Sequence, residues 1–159
     1  MSALKKLIML INNNLGLAFT YNEPSIWYEY VYDVCRKIKS LNKNNKTLLV
    51  TNGYICEEPL RKLLPYVDAL NIDLKGNDEY YKTLCFGALK EVENSIRIAN
   101  EFGCHIEVTT LLIPNENTDD ITLKELGEFL SSINKDITLH LSRYFPRYKM
   151  DSPSTPLDD

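Results

Sequence analysis

The sequence predicts an α/β fold in which mainly parallel strands curve into a partly open barrel with helices on its outside. Two observations predict this fold. Apolar, strand-like segments alternate with amphipathic helical segments along the chain, as expected for parallel strands joined by helical crossovers. Several strands also have one apolar and one polar face, whereas strands covered on both sides normally read as continuous apolar runs. The polar faces therefore predict a solvated cavity inside the barrel.

The composition is that of one globular domain. The 159 residues are 44% hydrophobic and 25% charged, enough for a single core. The net charge of -4 offers no basic face, so we expect no nucleic-acid partner. No apolar run approaches the roughly 20 residues of a membrane span, and the run at 7–11 is too short for a signal peptide. We therefore expect a cytoplasmic protein with no membrane association.

The segment 16–24 predicts a buried parallel strand that ends in a polar turn. Pro24 cannot continue a β-ladder, so Glu23 lies at a strand-to-helix corner. That corner is the carboxyl end of the strand, where parallel α/β proteins bind ligands. The alternative is that Asn22 and Glu23 only cap the helix that follows, which the pattern starts at Ser25.

Two amphipathic helices flank this strand. The first spans 4–11 and the second spans 26–41, because apolar residues recur in both at helical spacing. The second helix is predicted to bury one face, formed by Ile26, Tyr30, Val34 and Ile38. It begins with an aromatic run, most of which we expect to pack against the sheet: Trp27, Tyr28, Tyr30 and Tyr32.

The remaining elements are bounded by glycine and proline turn signals or by capping residues. Pro65 predicts that the first of the remaining helices stops early. The predicted elements are strands at 47–51, 69–75, 104–113 and 137–141, and helices at 57–67, 77–84, 89–102 and from Asp119 or Asp120 to 134. Residues 1–150 form one predicted domain, and 151–159 form an irregular tail.

Three strands have a polar face that must find partners. Leu70 and Ile72 oppose Asn71 and Asp73, and the strands at 104–113 and 137–141 alternate in the same way. A buried Asp73 without a partner would cost several kcal/mol, so this face is either solvated or paired with a ligand. The alternative is an edge strand or an internal salt-bridge network.

Polar side chains also crowd the predicted carboxyl ends of the strands. They match a small zwitterion that carries ribose hydroxyls. Carboxylate side chains can bind its ammonium group or its diol, and Lys75 and Arg143 can bind its carboxylate. These side chains are Asn22 and Glu23, Thr51 and Asn52, Asp73 and Lys75, Thr109 and Thr110, and Ser142 and Arg143.

The four cysteines are scattered and show no metal-ligand spacing: Cys35, Cys56, Cys85 and Cys104. In a cytoplasmic protein we expect them to be reduced and mostly buried, and the sequence predicts no metal site.

Five segments in order resemble the strand-end motifs of radical S-adenosylmethionine (SAM) enzymes. The resemblance is to the group of pyruvate formate-lyase activating enzyme, nearest the AmmeMemoRadiSam-system subfamily, and it covers about 16–150. It implies an iron–sulfur oxidoreductase with a (β/α)6-type radical SAM barrel. The segments are Thr20-Tyr21-Asn22-Glu23-Pro24, Val50-Thr51-Asn52-Gly53-Tyr54, Asn71-Ile72-Asp73-Leu74-Lys75, 107–114 and Ser142-Arg143-Tyr144-Phe145-Pro146.

The resemblance implies a role for four of these five motifs. Asn22 and Glu23 stand where the family's Gly-Gly-Glu-type motif contacts the SAM amino group. Thr51 and Asn52 then lie beside the nucleoside. Asp73 and Lys75 would contact the polar groups of SAM or the substrate. Thr109 and Thr110 would belong to the strand that supports the methionine and adenine side of SAM.

The chain departs from the family in the motif that binds the iron–sulfur cluster. The family holds a [4Fe–4S] cluster with three closely spaced cysteines in a loop after its first strand, and no such motif occurs here. The resemblance therefore implies a partial, open barrel that lacks the first strand, truncated at the N-terminus. SAM is the expected cofactor, and the cluster ligands are not in this chain. Two smaller departures are the missing glycine after Pro114 and Phe145 in place of a histidine.

Three functions remain open at this point. The first is a radical SAM domain that would cleave SAM reductively to a 5′-deoxyadenosyl radical, inactive alone, with a protein substrate or a missing N-terminal segment as partner. The second is a non-catalytic remnant that binds SAM or a protein. The third is a metal-independent α/β enzyme that uses Glu23, Asp73 and His140 as acid–base groups.

Overall fold

The computed structural model describes residues 15–157, so the helix expected at 4–11 lies outside the described residues. Five strands form one parallel sheet in sequence order, which confirms the open α/β fold. A six-stranded barrel would have one more strand than this sheet. The strands are β1 (Gly16–Phe19), β2 (Lys46–Thr51), β3 (Ala69–Asp73), β4 (His105–Leu112) and β5 (Thr138–Arg143).

Helices cover one face of the sheet. Leu70 and Ile72 of β3 are buried in an apolar core with residues of the helices, while Asn71 and Asp73 on the opposite face are only partly buried. Within residues 15–157 no helix packs its buried face on that polar side. The helices are α1 (Tyr28–Leu41), α2 (Glu57–Leu63), α3 (Asp78–Thr83), α4 (Leu89–Glu101) and α5 (Asp120–Ile133).

The predicted start of the helix at 26–41 is wrong, and its predicted buried face is confirmed for Val34 and Ile38 but wrong for Ile26 and Tyr30. Pro24–Trp27 is a 3₁₀ turn, and α1 begins at Tyr28. Because a 3₁₀ turn has three residues per turn, the helical spacing cannot be extended back through it. Ile26 is 81% exposed and Tyr30 is 55% exposed. The buried face of α1 is Val31, Val34, Cys35 and Ile38.

The aromatic run at the start of α1 divides into two pairs. Tyr28 and Tyr32 are partly buried against the core, as expected. Trp27 and Tyr30 are exposed, and their rings stack on each other with centroids 5.4 Å apart. The expectation that most of this run packs on the sheet is therefore wrong for half of it, because Trp27 in the turn and Tyr30 in α1 are exposed to solvent.

Two further expectations concern element boundaries and burial. α2 ends at Leu63 and is followed by the 3₁₀ turn Leu64–Tyr66, which confirms the early stop predicted from Pro65. The opening strand is not buried throughout, since Phe19 is buried but Ala18 is exposed. β1 is the first strand of the sheet order, and an outer strand is covered less well than a central one.

Asp68 joins three elements at the amino end of the sheet. Its carboxylate accepts hydrogen bonds from the Thr47 backbone N–H at 2.8 Å and from the ammonium groups of Lys39 and Lys46. Lys39 belongs to α1 and Lys46 to β2, so Asp68 fixes the helix to the sheet at the end opposite to the polar strand ends.

Residues 151–157 contain no helix or strand. Thr155 in this segment is nevertheless buried against the ends of β4 and β5. No helix between residues 15 and 157 is long and apolar enough to cross a membrane.

Candidate functional site

The carboxylate of Glu23 is held in place by two strand ends. Its Oε1 accepts hydrogen bonds from Thr51 Oγ1 at 2.6 Å and from the Ser25 backbone N–H at 3.1 Å. Its Oε2 accepts from the Asn52 backbone N–H at 2.7 Å. Glu23 therefore does cap the turn that follows it, and it also ties the end of β1 to the end of β2. The carboxylate remains partly exposed.

The backbone before Glu23 is left-handed at two consecutive residues. Tyr21 has φ of 52° and Asn22 has φ of 47°. This conformation costs about 1–2 kcal/mol for most residues other than glycine, although asparagine tolerates it. Such strain is concentrated at functional sites. Sequence reasoning missed it because tyrosine gives no signal for positive φ.

A cleft of about 320 Å³ opens beside Glu23, at the carboxyl edge of the sheet. It brings together three of the predicted site residues, which are Glu23, Asn52 and Lys75. Sequence reasoning did not predict the hydrophobic and thiol side chains of its wall. The wall residues missed in this way are Ile26, Tyr54, Tyr81, Cys85 and Phe86.

Asp73 and Lys75 form an ion pair on the polar face, with Lys75 Nζ 2.7 Å from Asp73 Oδ2. Both side chains are more than a third exposed, and such a pair is worth at most about 1 kcal/mol. A ligand can therefore replace either partner at low cost. The hydroxyl of Tyr81 accepts a hydrogen bond from the Lys75 backbone N–H, and burial raises the pKa of this tyrosine, so the hydroxyl stays protonated.

The rest of the polar face pairs largely with itself. Thr109 donates a 3.0 Å hydrogen bond to the side chain of Asn71. Glu107 contacts Nε2 of His105 at 3.3 Å and Nε2 of His140 at 3.0 Å, and these bonds hold the pKa of its carboxyl below the ordinary value. A network of this kind is the alternative that sequence reasoning left open for this face.

The structure does not assemble the acid–base trio of the third hypothesis. Glu23 is bonded to the end of β2, Asp73 to Lys75, and His140 to Glu107. Each of the three groups has a separate partner, and no hydrogen bond joins one to another in the described part of the chain.

Asn117 is a buried residue that sequence reasoning missed. Its side-chain oxygen accepts from the Ile113 backbone N–H at 2.7 Å, and its amide nitrogen donates to the carbonyls of Lys75 and Leu111 at 2.6 and 2.8 Å. It therefore holds the loop after β4 against the segment that carries Lys75. Asn115 has φ of 69°, the conformation that the expected glycine would adopt.

Arg143 does not line the cleft. Its Nε and Nη2 atoms both donate to the carbonyl oxygen of Thr155, at 3.0 and 2.8 Å. Its guanidinium also lies over the ring of Phe145, 5.3 Å from the centroid. Arg143 was predicted to bind the carboxylate of a ligand, but in this structure it binds the protein's own C-terminal segment.

The cysteines do not fit an iron–sulfur cluster. Among the described residues no group of histidine, cysteine or acidic side chains is arranged to hold a metal ion. Burial raises the pKa of the Cys35 thiol to about 12 and that of Cys104 to about 11, which opposes the thiolate form that binds metals. The expectation of mostly buried thiols is wrong, because Cys56 and Cys85 are exposed.

Comparison with known families gives one clear match. The sequence profile of the Radical SAM superfamily matches residues 3–126 of this chain. An uncharacterized protein of Methanocaldococcus jannaschii is 39% identical over 145 residues, which is 90% of this chain and 42% of that protein. A UPF0026 protein of Helicobacter pylori is 27% identical over 124 residues, 74% of this chain and 40% of that protein. The chain thus spans about two fifths of the length of these relatives.

Solved structures share the fold at low sequence identity. A domain of pyruvate-formate lyase-activating enzyme from Bacteroides vulgatus has a TM-score of 0.73 at 20% identity, covering 91% of this chain and 88% of that one. A radical SAM methyltransferase from Sphaerobacter thermophilus has a TM-score of 0.69 at 17% identity, with coverage of 98% and 48%. Native anSMEcpe with bound AdoMet has a TM-score of 0.63 at 15% identity, with coverage of 94% and 45%. By its sequence profile match and its fold, this chain belongs to the radical SAM superfamily.

Proposed function

We propose that this chain is the SAM-binding part of a radical SAM enzyme of the type that activates glycyl-radical proteins. The observation that carries the proposal is the fixed carboxylate of Glu23 in the lining of the cleft. A carboxylate offers about four acceptor positions, and the protein fills three of them. One position on Oε2 remains for the ammonium group of a ligand.

The remaining cleft residues suit the other parts of SAM. The Asp73–Lys75 pair can open, so that Lys75 meets a carboxylate or Asp73 meets a ribose diol. Tyr54 and Phe86 are large apolar surfaces beside Glu23, and Tyr81 supplies a protonated hydroxyl. Charged groups at one point and aromatic rings at another match a zwitterion joined to a nucleoside.

The iron–sulfur chemistry must come from outside the described residues. In radical SAM enzymes a bound [4Fe–4S] cluster supplies the electron that cleaves SAM to a 5′-deoxyadenosyl radical. Residues 15–157 offer no set of cluster ligands. We therefore propose that this chain alone binds SAM but does not cleave it, and that other residues of the protein or a second chain hold the cluster. A protein substrate is the partner that this assignment implies.

Calorimetric titration of SAM into the iron-free 159-residue chain tests the proposal. We expect saturable binding, and an affinity about tenfold or more weaker in Glu23→Gln, since a charge-assisted hydrogen bond to the ammonium is lost. Glu29→Gln, an exposed change on α1, is the matched control and should leave the affinity unchanged. A folded chain that does not bind SAM contradicts the assignment.

Anaerobic iron–sulfur reconstitution tests the claim of inactivity. We expect no stoichiometric cluster by absorbance and no 5′-deoxyadenosine from SAM under a strong reductant. A cluster with product would contradict the claim and would mean that cysteines of this chain do act as ligands.

The second candidate is a SAM-binding or protein-interaction domain without catalysis. The lack of a cluster-binding group within the described residues favours it. The two candidates differ when the cysteine loop is supplied on the same polypeptide. A radical SAM enzyme then forms 5′-deoxyadenosine, and a non-catalytic domain only binds SAM.

A further inference from the structure

Three large apolar side chains form an exposed surface just after Glu23. Ile26, Trp27 and Tyr30 are all exposed, and the rings of Trp27 and Tyr30 stack with an angle of 9° between their planes. Single exposed apolar residues are ordinary, but neighbouring ones of this size indicate an interaction site, and tryptophan and tyrosine are enriched in interfaces. We call these three residues the apolar surface.

The apolar surface is held close to the candidate ligand site. The indole N–H of Trp27 donates a 3.0 Å hydrogen bond to the Glu23 carbonyl, and the Glu23 carboxylate accepts from the Ser25 N–H in the same turn. Ile26 also lines the cleft beside Glu23. A partner on the apolar surface therefore lies next to a ligand in the cleft.

The surroundings of the apolar surface are negatively charged. No lysine or arginine occurs from residue 15 to residue 35, a stretch that contains Glu23, Glu29 and Asp33. Glu29 is exposed and lies in sequence between the two stacked rings. The segment that carries the apolar surface therefore attracts cations.

The cations of this region lie further along α1 and beside it. Arg36 pairs with Asp33 at 3.3 Å, and Lys62 lies over the ring of Tyr32, 5.2 Å from its centroid. Within the part of the chain that the structure describes Glu29 forms no ion pair, so a partner can supply its cation.

We propose that the apolar surface docks a basic segment of the protein substrate, one that carries lysine or arginine next to an apolar side chain. The apolar side chain packs on Ile26, and the cation meets Glu29 and the outer faces of the two stacked rings. This inference rests on the proposed function, which implies a protein substrate. It adds where that substrate binds and what charge the bound segment bears.

Trp27 is the single tryptophan of the chain, so its fluorescence reports on this surface. Cesium and iodide ions both quench tryptophan, and each quenching constant is taken relative to N-acetyltryptophanamide in the same buffer. We expect the relative constant for cesium to be about twofold or more the larger, because the nearby carboxylates attract cesium and repel iodide. The reverse order overturns the charge argument and the proposal with it.

Peptide titration tests the docking itself. The probes are a synthetic peptide of lysine, leucine and serine and a counterpart in which glutamate replaces each lysine. We expect the lysine peptide to shift Trp27 emission to shorter wavelength and to bind about tenfold or more tightly than the glutamate peptide, with an affinity that falls as salt is added. Equal binding of the two peptides, or no shift with either, overturns the docking surface.

Substitutions separate docking on this surface from general attraction to an acidic protein. Tyr30→Ser and Glu29→Gln should each weaken binding of the lysine peptide about threefold to tenfold, and neither should change the affinity for SAM, since neither residue lines the cleft. Ile121→Ser, which removes an exposed isoleucine next to Asp120 on α5, is the matched control and should change neither affinity. If Ile121→Ser weakens peptide binding as much as Tyr30→Ser does, the attraction is non-specific and the proposal fails.

Two further outcomes identify a different occupant and overturn the proposal. Vesicles of anionic phospholipid that shift Trp27 emission more than the lysine peptide does would make the surface a membrane contact. An emission maximum that moves with protein concentration, without peptide, would make it a contact between copies of the chain.

Calorimetry with SAM keeps the proposed function separate from the docking surface. A chain that binds SAM but not the lysine peptide loses only the docking surface. A chain that binds the lysine peptide but not SAM loses the proposed function and, with it, the assignment of this surface to a substrate.

Discussion

The hydroxyl of Thr51 donates a 2.6 Å hydrogen bond to Oε1 of Glu23, 28 residues earlier in the chain, and this contact joins the ends of two parallel strands. Thr51 Oγ1 also accepts from the Gly53 backbone N–H at 3.1 Å. The contact therefore fixes both the carboxylate and the start of the loop after β2. It gives the cleft a preformed acceptor.

Replacing Thr51 tests how far the position of the Glu23 carboxylate depends on the hydrogen bond from the Thr51 hydroxyl. Thr51→Val should lower the free energy of unfolding by about 1–2 kcal/mol, because the carboxylate and the Gly53 N–H each lose a partner. It should also weaken SAM binding several-fold, measured by calorimetry. Thr51→Ser keeps the hydroxyl and should stay close to the unaltered chain. A loss in Thr51→Ser with none in Thr51→Val would mean that the methyl group, and not the hydrogen bond, matters.

Gly53 occupies a position where only glycine fits. Its φ is +70°, and a Cβ there would lie 2.8 Å from Ile72 Cγ2 and 3.2 Å from Val92 Cγ1. Gly53→Ala should cost about 2–3 kcal/mol in denaturant unfolding, from backbone strain and overpacking together. Gly127→Ala in α5 meets open space and should instead stabilise the chain by about 0.5–1 kcal/mol. A harmless Gly53→Ala would show that the loop can move away from β3.

Asn117 should be the costliest asparagine of the loop after β4. Asn117→Ala leaves the Ile113 N–H and the carbonyls of Lys75 and Leu111 without their side-chain partner, so we expect a loss of about 3 kcal/mol. Chemical denaturation measures it. Asn115→Gly should change the stability by less than about 0.5 kcal/mol, because glycine adopts the left-handed conformation freely. The reverse order of the two effects would contradict the bonding seen here.

Asp68 should make stability depend on pH in the acid range. Burial alone would raise its pKa, but hydrogen bonds from Lys39, the Thr47 backbone and Lys46 outweigh burial and lower it. A carboxyl whose pKa is lowered by folding stabilises the fold at any pH above the pKa that it has in the unfolded chain, which is near 4 for aspartate. This stabilisation is lost as the pH falls through the pKa that the carboxyl has in the folded chain. Stability should therefore decline below about pH 4.

Asp68→Asn checks the origin of this decline. At pH 7 it should cost about 2 kcal/mol, since the lysines lose a charged partner, and the difference from the unaltered chain should shrink at about pH 3. Asp33→Asn, which breaks an exposed pair with Arg36, is the control and should cost less than about 0.5 kcal/mol at either pH. A pH-independent difference would rule out titration of Asp68.

The periodic parts of the fold were predictable from the chain. Alternation along β3 placed Leu70 and Ile72 on the helix side and Asn71 and Asp73 on the other, as the structure has them. The pattern is readable because the helices described between residues 15 and 157 pack on one face of the sheet. Capping by Asp119 was also predictable, since its side chain accepts from the Thr122 N–H, a contact within one turn.

The predictions failed where backbone conformation departs from the regular elements. The 3₁₀ turn at Pro24–Trp27 shifts the phase of the helix and leaves Ile26 exposed. The left-handed conformation of Tyr21 has no signature in a tyrosine. Both features depend on how the carboxyl end of β1 meets β2, which no local pattern encodes.

The sequence by itself determined the order of strands and helices, the two faces of the sheet and the position of Glu23 at a strand end. These properties follow from local periodicity and turn chemistry, which act over a few residues. Only the tertiary structure decided which polar groups meet: Thr51 with Glu23, Asn117 with the Lys75 carbonyl, and Arg143 with Thr155. Partners 12 to 42 residues apart are chosen by the packing of the whole sheet, because each buried polar group must find the donor or acceptor that the fold brings within reach.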